Sequence, residues 1–87
     1  MRKNMFGDHY CTNAEEVRFA MEERDRDPED CYADVEYDPT DGHWIAEIKD
    51  NGPGDTVCYV EGFDSRDALR SMLVNSVGLP GPSVNYI

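Results

Sequence analysis

Residues 31–63 read CYADVEYDPTDGHWIAEIKDNGPGDTVCYVEGF, and this stretch decides the fold that the sequence predicts. Three runs within it alternate polar and apolar side chains with the period of two that is typical of half-buried strands. Two turn sequences with proline and glycine separate the runs, and both are far too short for a parallel crossover. We therefore expect a three-stranded antiparallel meander, with strands at residues 31–37, 43–49 and 56–62.

A helix pattern lies on each side of this meander. The first helix begins with the capping box TNAE at residues 12–15, capped by its threonine, and ends before Pro28, which disfavours helix in the residue preceding it. The second begins at Asp64 or Ser65, both good caps, and ends at Gly78. The predicted fold class is α+β in the order α-β-β-β-α, with both helices packed on one face of a three-stranded antiparallel sheet.

The chain of 87 residues suffices for one small domain over residues 1–87. Residues 1–11 are expected to form an N-terminal arm, and residues 79–87 a C-terminal tail. The last part of the tail, residues 84–87, is a candidate for a short extra strand.

The cysteine pattern predicts a reduced, cytoplasmic protein. Cys11, Cys31 and Cys58 are odd in number and do not form the close-set framework of a disulfide scaffold. The first residues lack the apolar region of a signal peptide, and no apolar run reaches the ~18 residues of a membrane span.

The formal net charge is −11, from 19 acidic and 8 basic residues. Nucleic acids and anionic membranes both require a cationic face, so direct binding to either is not expected. A negative field would instead steer the protein to a basic protein surface. The alternative is that the charge serves solubility alone.

Enzyme and metal patterns are weak. His9 and Cys11 form one loose pair, with His43 distant in sequence, whereas zinc sites show two close-set pairs. The acidic clusters lack the spacing of a calcium loop, and no nucleophile motif or phosphate-binding loop is present. We therefore predict no catalytic residues, no bound metal and no cofactor.

The acidic segment is the best candidate site. Residues 27–48 include eight acids and no Lys or Arg, and aromatic side chains interleave with them, as in interfaces for basic partners. With helices on one sheet face, the other face would be open and acidic. The predicted contact set is Tyr32, Asp34, Glu36, Asp38, Asp41, Trp44, Glu47 and Tyr59. A register shift of one residue would exchange the faces, and Phe19, on the outer side of the first helix, marks an alternative contact surface.

Short motifs in the centre of the chain match a known family. They are residues 32–37, DGHWIA at 41–46, the Gly-rich loop at 52–56 and DSRDAL at 64–69. Over residues 32–77 the chain resembles the HicB-like antitoxin domain. The resemblance implies a cytosolic protein that masks the positive RNA-binding face of a small ribonuclease toxin. Such antitoxins often carry a DNA-binding module after this domain, and the chain ends at Ile87 without one, so DNA binding is not expected.

By type, small and strongly acidic proteins also resemble phage-encoded inhibitors such as anti-CRISPR proteins and DNA mimics. The leading hypothesis is a non-enzymatic inhibitor whose acidic sheet surface occupies the cationic nucleic-acid-binding surface of a partner. That partner would be a CRISPR effector or a toxin ribonuclease. The alternatives are a HicB-like antitoxin with its cognate toxin, and a structural subunit or homodimer that pairs through an edge strand.

Overall fold

The computed structural model describes residues 1–87 and folds them into one mixed sheet with two helices. The strands are β1 (Arg2–Lys3), β2 (His9–Cys11), β3 (Cys31–Asp38), β4 (His43–Asp50), β5 (Thr56–Phe63) and β6 (Val84–Tyr86). The helices are α1 (Ala14–Glu23) and α2 (Arg66–Ser71), and α2 continues as a π-helix over Met72–Val77. Single 3-10 turns at Pro28–Asp30 and Gly81–Ser83 precede β3 and β6. The strand order is β1-β2-β5-β4-β3-β6.

The predicted three-stranded antiparallel sheet is wrong, because the sheet has six strands and is mixed. Strands β3, β4 and β5 are antiparallel neighbours, but β2 pairs with β5 in parallel, and β6 pairs with β3 in parallel. Both parallel pairs are joined by long stretches of chain that include a helix, as a parallel connection requires. The added strands are two or three residues long, too short for alternation to distinguish them from an irregular arm and tail.

The core lies between the helices and one face of the sheet. Odd positions of β3 and even positions of β4 point into it, so the alternation in residues 31–63 places the apolar side chains under the helices. The buried apolar strand residues are Cys11, Cys31, Ala33, Val35, Ala46, Ile48, Val57, Cys58, Val60 and Val84. From the helices come Val17, Ala20, Met21, Leu69, Leu73 and Val77. No helix has both the length and the apolar character needed to cross a membrane.

The cap of α1 lies one residue later than the capping box predicted. Asn13, not Thr12, is the N-cap, and its Oδ1 accepts a hydrogen bond from the Glu16 amide at 2.9 Å. The Glu16 carboxylate in turn accepts from the Thr12 amide at 2.8 Å, and this bond holds the pKa of Glu16 below its usual value. Glu16 thus holds the N3 position, as in a capping box, but its carboxylate bonds the amide before the N-cap and not that of Asn13 itself.

The Asp50 carboxylate fixes the loop between β4 and β5. This residue is only 4% exposed, and its Oδ1 accepts from the amides of Gly52 and Gly54 at 3.1 and 3.3 Å. Its Oδ2 accepts from Arg26 Nε at 3.1 Å, and Arg26 follows the end of α1. A single buried carboxylate thus ties the hairpin loop to the C-terminal end of the first helix.

We expect Asp50→Ala to lower the free energy of unfolding by about 3 kcal/mol, because it leaves two loop amides and a guanidinium without their acceptor. Asp55→Ala is the matched control: Asp55 lies in the same loop, is exposed and forms no side-chain hydrogen bond, so its loss should cost less than about 0.5 kcal/mol. Urea denaturation of both variants measures the difference. Equal stability of the two variants would contradict the role given to Asp50.

Candidate functional site

The sheet face away from the helices is not covered by either of them. One row of side chains crosses this open face through all six strands in register: Arg2, Tyr10, Tyr59, Glu47, Asp34 and Asn85. Tyr32, Glu36, Ile45, Lys49 and Glu61 flank the row on the same face by strand alternation. The open face therefore has an aromatic half on β2 and β5 and a charged half on β3 and β4.

The aromatic half depends on the parallel pairing of β2 with β5. This pairing places Tyr10 beside Tyr59, and their rings stack with centroids 5.0 Å apart and planes 13° from parallel. The Arg2 guanidinium lies 4.3 Å from the centre of the Tyr10 ring and donates a hydrogen bond to Glu61 Oε2 at 2.7 Å. Burial raises the pKa of the Tyr59 hydroxyl. The result is a continuous stack of a guanidinium and two rings.

The charged half is partly neutralised from within. Asp34 and Glu47 stand directly opposite each other on β3 and β4, an arrangement that is unfavourable for like charges. Lys49 Nζ lies between them, 3.3 Å from Asp34 Oδ2 and 3.8 Å from Glu47 Oε1. The hydrogen bond to Asp34 is the main reason that the pKa of Lys49 is raised. This half therefore presents less free negative charge than the acids alone suggest.

The free negative charge lies at the end of the face, where the β3–β4 turn meets β5. Asp38 and Asp41 belong to this turn and form no ion pair with a basic side chain. Together with Glu61 they line a shallow pocket of about 150 Å³. The other residues that line this pocket are Arg2, Tyr10, Ile45, Tyr59 and Val60. We call it the tyrosine pocket.

The structure brings together most of the predicted contact set. Tyr32, Asp34, Glu36, Glu47 and Tyr59 share the open face, with Asp38 and Asp41 at its end. Trp44 lies apart from them: it is half-buried on the helix face, packs against the core and meets the Tyr37 ring edge-on at 5.3 Å. Alternation along β4 groups Trp44 with Ala46 and Ile48, which explains its position.

The predicted contact set omits Arg2, Tyr10, Ile45 and Glu61, which also line the tyrosine pocket. Arg2 and Tyr10 belong to the arm, and only the pairing of β1 with β2 and of β2 with β5 brings them to the face. Glu61 follows Tyr59 by two residues, so the alternation of β5 alone was enough to place it on the same face.

The His9 and Cys11 pair does not form a metal site. His9 is buried against α1, where its Nε2 lies 2.9 Å from Glu23 Oε1, and Cys11 is fully buried in the core. No group of three or more His, Cys, Asp or Glu side chains is arranged to hold a metal ion. The other two cysteines are also fully buried, and burial raises the pKa of Cys31 to about 11.

Comparisons with known proteins found no relative of this chain. No protein-family model matches the chain, and no curated protein or solved structure was found to be similar. The resemblance to the HicB-like antitoxin domain therefore stays a prediction, and the interpretation of the site depends on its own geometry.

We expect Lys49→Ala to destabilise the fold, because it leaves Asp34 and Glu47 facing each other without the cation between them. The loss should be larger at low salt than at high salt, since salt screens the remaining repulsion. Lys3→Ala removes the same charge from an exposed position and is the control. Urea denaturation at both salt concentrations measures the loss of stability of each variant. Equal losses for the two variants would contradict the role given to Lys49.

Stability should fall at alkaline pH because of the buried Cys31 thiol. Cys31 ionises near its ordinary value of 9.0 in the unfolded chain but only near 11 in the fold. The raised pKa means that full stability is present below pH 9 and declines as the pH rises to 11, by about 3 kcal/mol for this thiol. Urea denaturation across this range measures the decline. Cys31→Ala should reduce the slope, and an unchanged slope would rule out Cys31 as its source.

Proposed function

We propose that this protein is a non-enzymatic, acidic inhibitor that binds the cationic nucleic-acid-binding surface of a partner protein in the cytoplasm. The contact would centre on the end of the open face, at Asp38, Asp41 and Glu61. The observation that carries the proposal is a pair of carboxylates without an ion pair, Asp38 and Asp41, which line one pocket with the half-buried rings of Tyr10 and Tyr59.

The topology explains why acids gather there. Strands β2, β3 and β5 run in the same direction, so the segments that follow them leave from the same end of the sheet. These segments include the first turns of both helices, where acidic side chains stabilise the positive end of the helix dipole. The acids concerned are Glu15, Glu16, Asp38, Asp41, Asp64 and Asp67. The charges that cap the helices thus add to the field around the tyrosine pocket.

This arrangement suits a basic protein rather than a nucleic acid. A cleft edged by one sign of charge concentrates ligands of the opposite sign and speeds their association. Aromatic side chains beside the carboxylates supply the apolar contact area that carries much of the affinity in interfaces. A CRISPR effector subunit and a toxin ribonuclease both offer such a cationic surface, and the predicted resemblance to HicB-like antitoxins favours the ribonuclease.

A second candidate function is self-association through an edge strand. The β1 edge is only two residues long and carries Arg2 and Lys3, which discourage pairing. The β6 edge is free on its outer side, and Tyr86 and Ile87 are exposed there, at 44% and 77%. The solution mass of the purified chain distinguishes a homodimer from a monomer that awaits a different partner.

The proposal is tested by capture followed by displacement. The affinity-tagged chain would be incubated with lysate at low salt and eluted by raising the salt, because charge-driven complexes weaken with ionic strength. Each captured protein would then be purified and bound to a fluorescent nucleic acid, which the chain should displace. Capture without displacement would contradict the proposed function.

Charge reversal locates the contact. Glu36→Lys combined with Asp41→Lys changes two exposed acids that have no basic partner at the pocket end of the face. We expect displacement to weaken at least about tenfold, since two attractive contacts become repulsive. Glu29→Lys combined with Asp55→Lys makes the same change in net charge, on exposed acids at the opposite end of the sheet. This second pair should weaken displacement much less. Equal effects would show that net charge alone drives binding.

A further inference from the structure

The tyrosine pocket already holds one guanidinium, which belongs to the chain itself. Arg2 lies over the Tyr10 ring and bonds Glu61, and it uses one side of the pocket only. Its side chain remains 65% exposed, so it lies at the rim and does not fill the pocket. The residues on this side thus show the two contacts that a guanidinium makes best: a ring face and a carboxylate.

The opposite side of the pocket has carboxylates without a cation. Asp38 and Asp41 line it and make no ion pair. The Asp38 Oδ1 accepts a hydrogen bond from the Thr40 amide at 3.0 Å, which fixes that carboxylate in the turn. Ile45 and Tyr59 lie between the two sides, on the central strands. A planar cation that enters here would meet an aromatic ring and two free carboxylates.

We propose that the tyrosine pocket binds an arginine side chain of the partner protein. This inference rests on the proposed function and specifies how the partner is recognised. The volume of about 150 Å³ is enough for a guanidinium and its neighbouring methylene groups, but not for a nucleotide or a folded element. A guanidinium stacks on tyrosine and bonds carboxylates in a fork, whereas an ammonium group cannot do both equally well.

Arg2 is then an internal competitor for the same pocket. It holds Glu61 and one face of the Tyr10–Tyr59 stack, so an incoming arginine meets a neighbouring like charge and one carboxylate that is already engaged. Removing Arg2 should free both groups and strengthen binding. A purely structural role for Arg2 predicts the reverse, since its removal would then disturb the stack.

The test uses the full chain with poly-arginine and poly-lysine peptides of equal length at low salt, followed by nitrogen-15 NMR and calorimetry. We expect the arginine peptide to bind several-fold more tightly and to shift the amide signals of Tyr10, Ile45 and Tyr59. Asp38→Asn with Asp41→Asn should weaken that binding about five- to tenfold, from the loss of two charge contacts. Asp27→Asn with Glu29→Gln removes the same charge at the opposite end and should weaken it less than about twofold.

Arg2→Ala should tighten binding of the arginine peptide about two- to fivefold, beyond the effect of Lys3→Ala, which removes the same charge nearby. Equal affinity for the two peptides, equal effects of the two acid pairs, or weaker binding by Arg2→Ala would each overturn the arginine pocket. These outcomes are independent of the displacement assay. A chain that binds the arginine peptide in this pocket but displaces no nucleic acid would overturn the proposed function alone.

Discussion

The parallel pairing of β2 with β5 is the interaction on which both the fold and the site depend. It adds a fourth strand to the central meander and brings Cys11 into the core and Tyr10 onto the open face. It also fixes the start of α1, which follows β2 directly and packs across β2 and β5. Without this pairing, Tyr59 would have no ring to stack on and Arg2 no position next to Glu61.

The same pairing gives the two faces of the sheet different properties. On one face, fully buried aliphatic and cysteine side chains meet two helices, and an unpaired charge would be costly there. On the other face, the row from Arg2 to Asn85 runs from one basic residue through two aromatic and two acidic residues to one amide, and these groups satisfy one another in part. A row of this kind keeps an uncovered sheet face from being an apolar patch, while leaving rings accessible at one end.

The sequence predicts the parts of this structure that have long periodic patterns. Strands β3, β4 and β5, both helices and most buried positions of the meander follow from alternation and capping residues. Val57 is an exception: alternation groups it with Tyr59, but it is buried next to a register shift between β4 and β5. The short strands are harder to predict. Residues 84–87 are a candidate strand by sequence and contain β6, whereas the two or three residues of β1 and β2 fit many patterns. The same limit applies to the site. Alternation places Asp34 and Glu47 on the open face, but only the strand register shows that Lys49 lies between them.

The few basic residues of the chain explain why its surface charge is so uneven. Of 8 Lys and Arg residues, Arg24, Arg26, Lys49 and Arg2 are held in ion pairs with Asp8, Asp50, Asp34 and Glu61. Arg66 stacks on Tyr86, and Arg18 donates to the Ser76 carbonyl near the end of the π-helix. Cations are therefore engaged where they join elements of the fold, and few remain to offset the acids of the turns.

Because those turns leave the sheet at its ends, the excess charge appears there and not in the middle of the open face. At the end with the tyrosine pocket, a partner drawn by the field would thus meet the stacked rings of Tyr10 and Tyr59 as well as carboxylates. The opposite acidic end, around Pro28–Asp30, offers only the single ring of Tyr32, beside Lys49, on the sheet face.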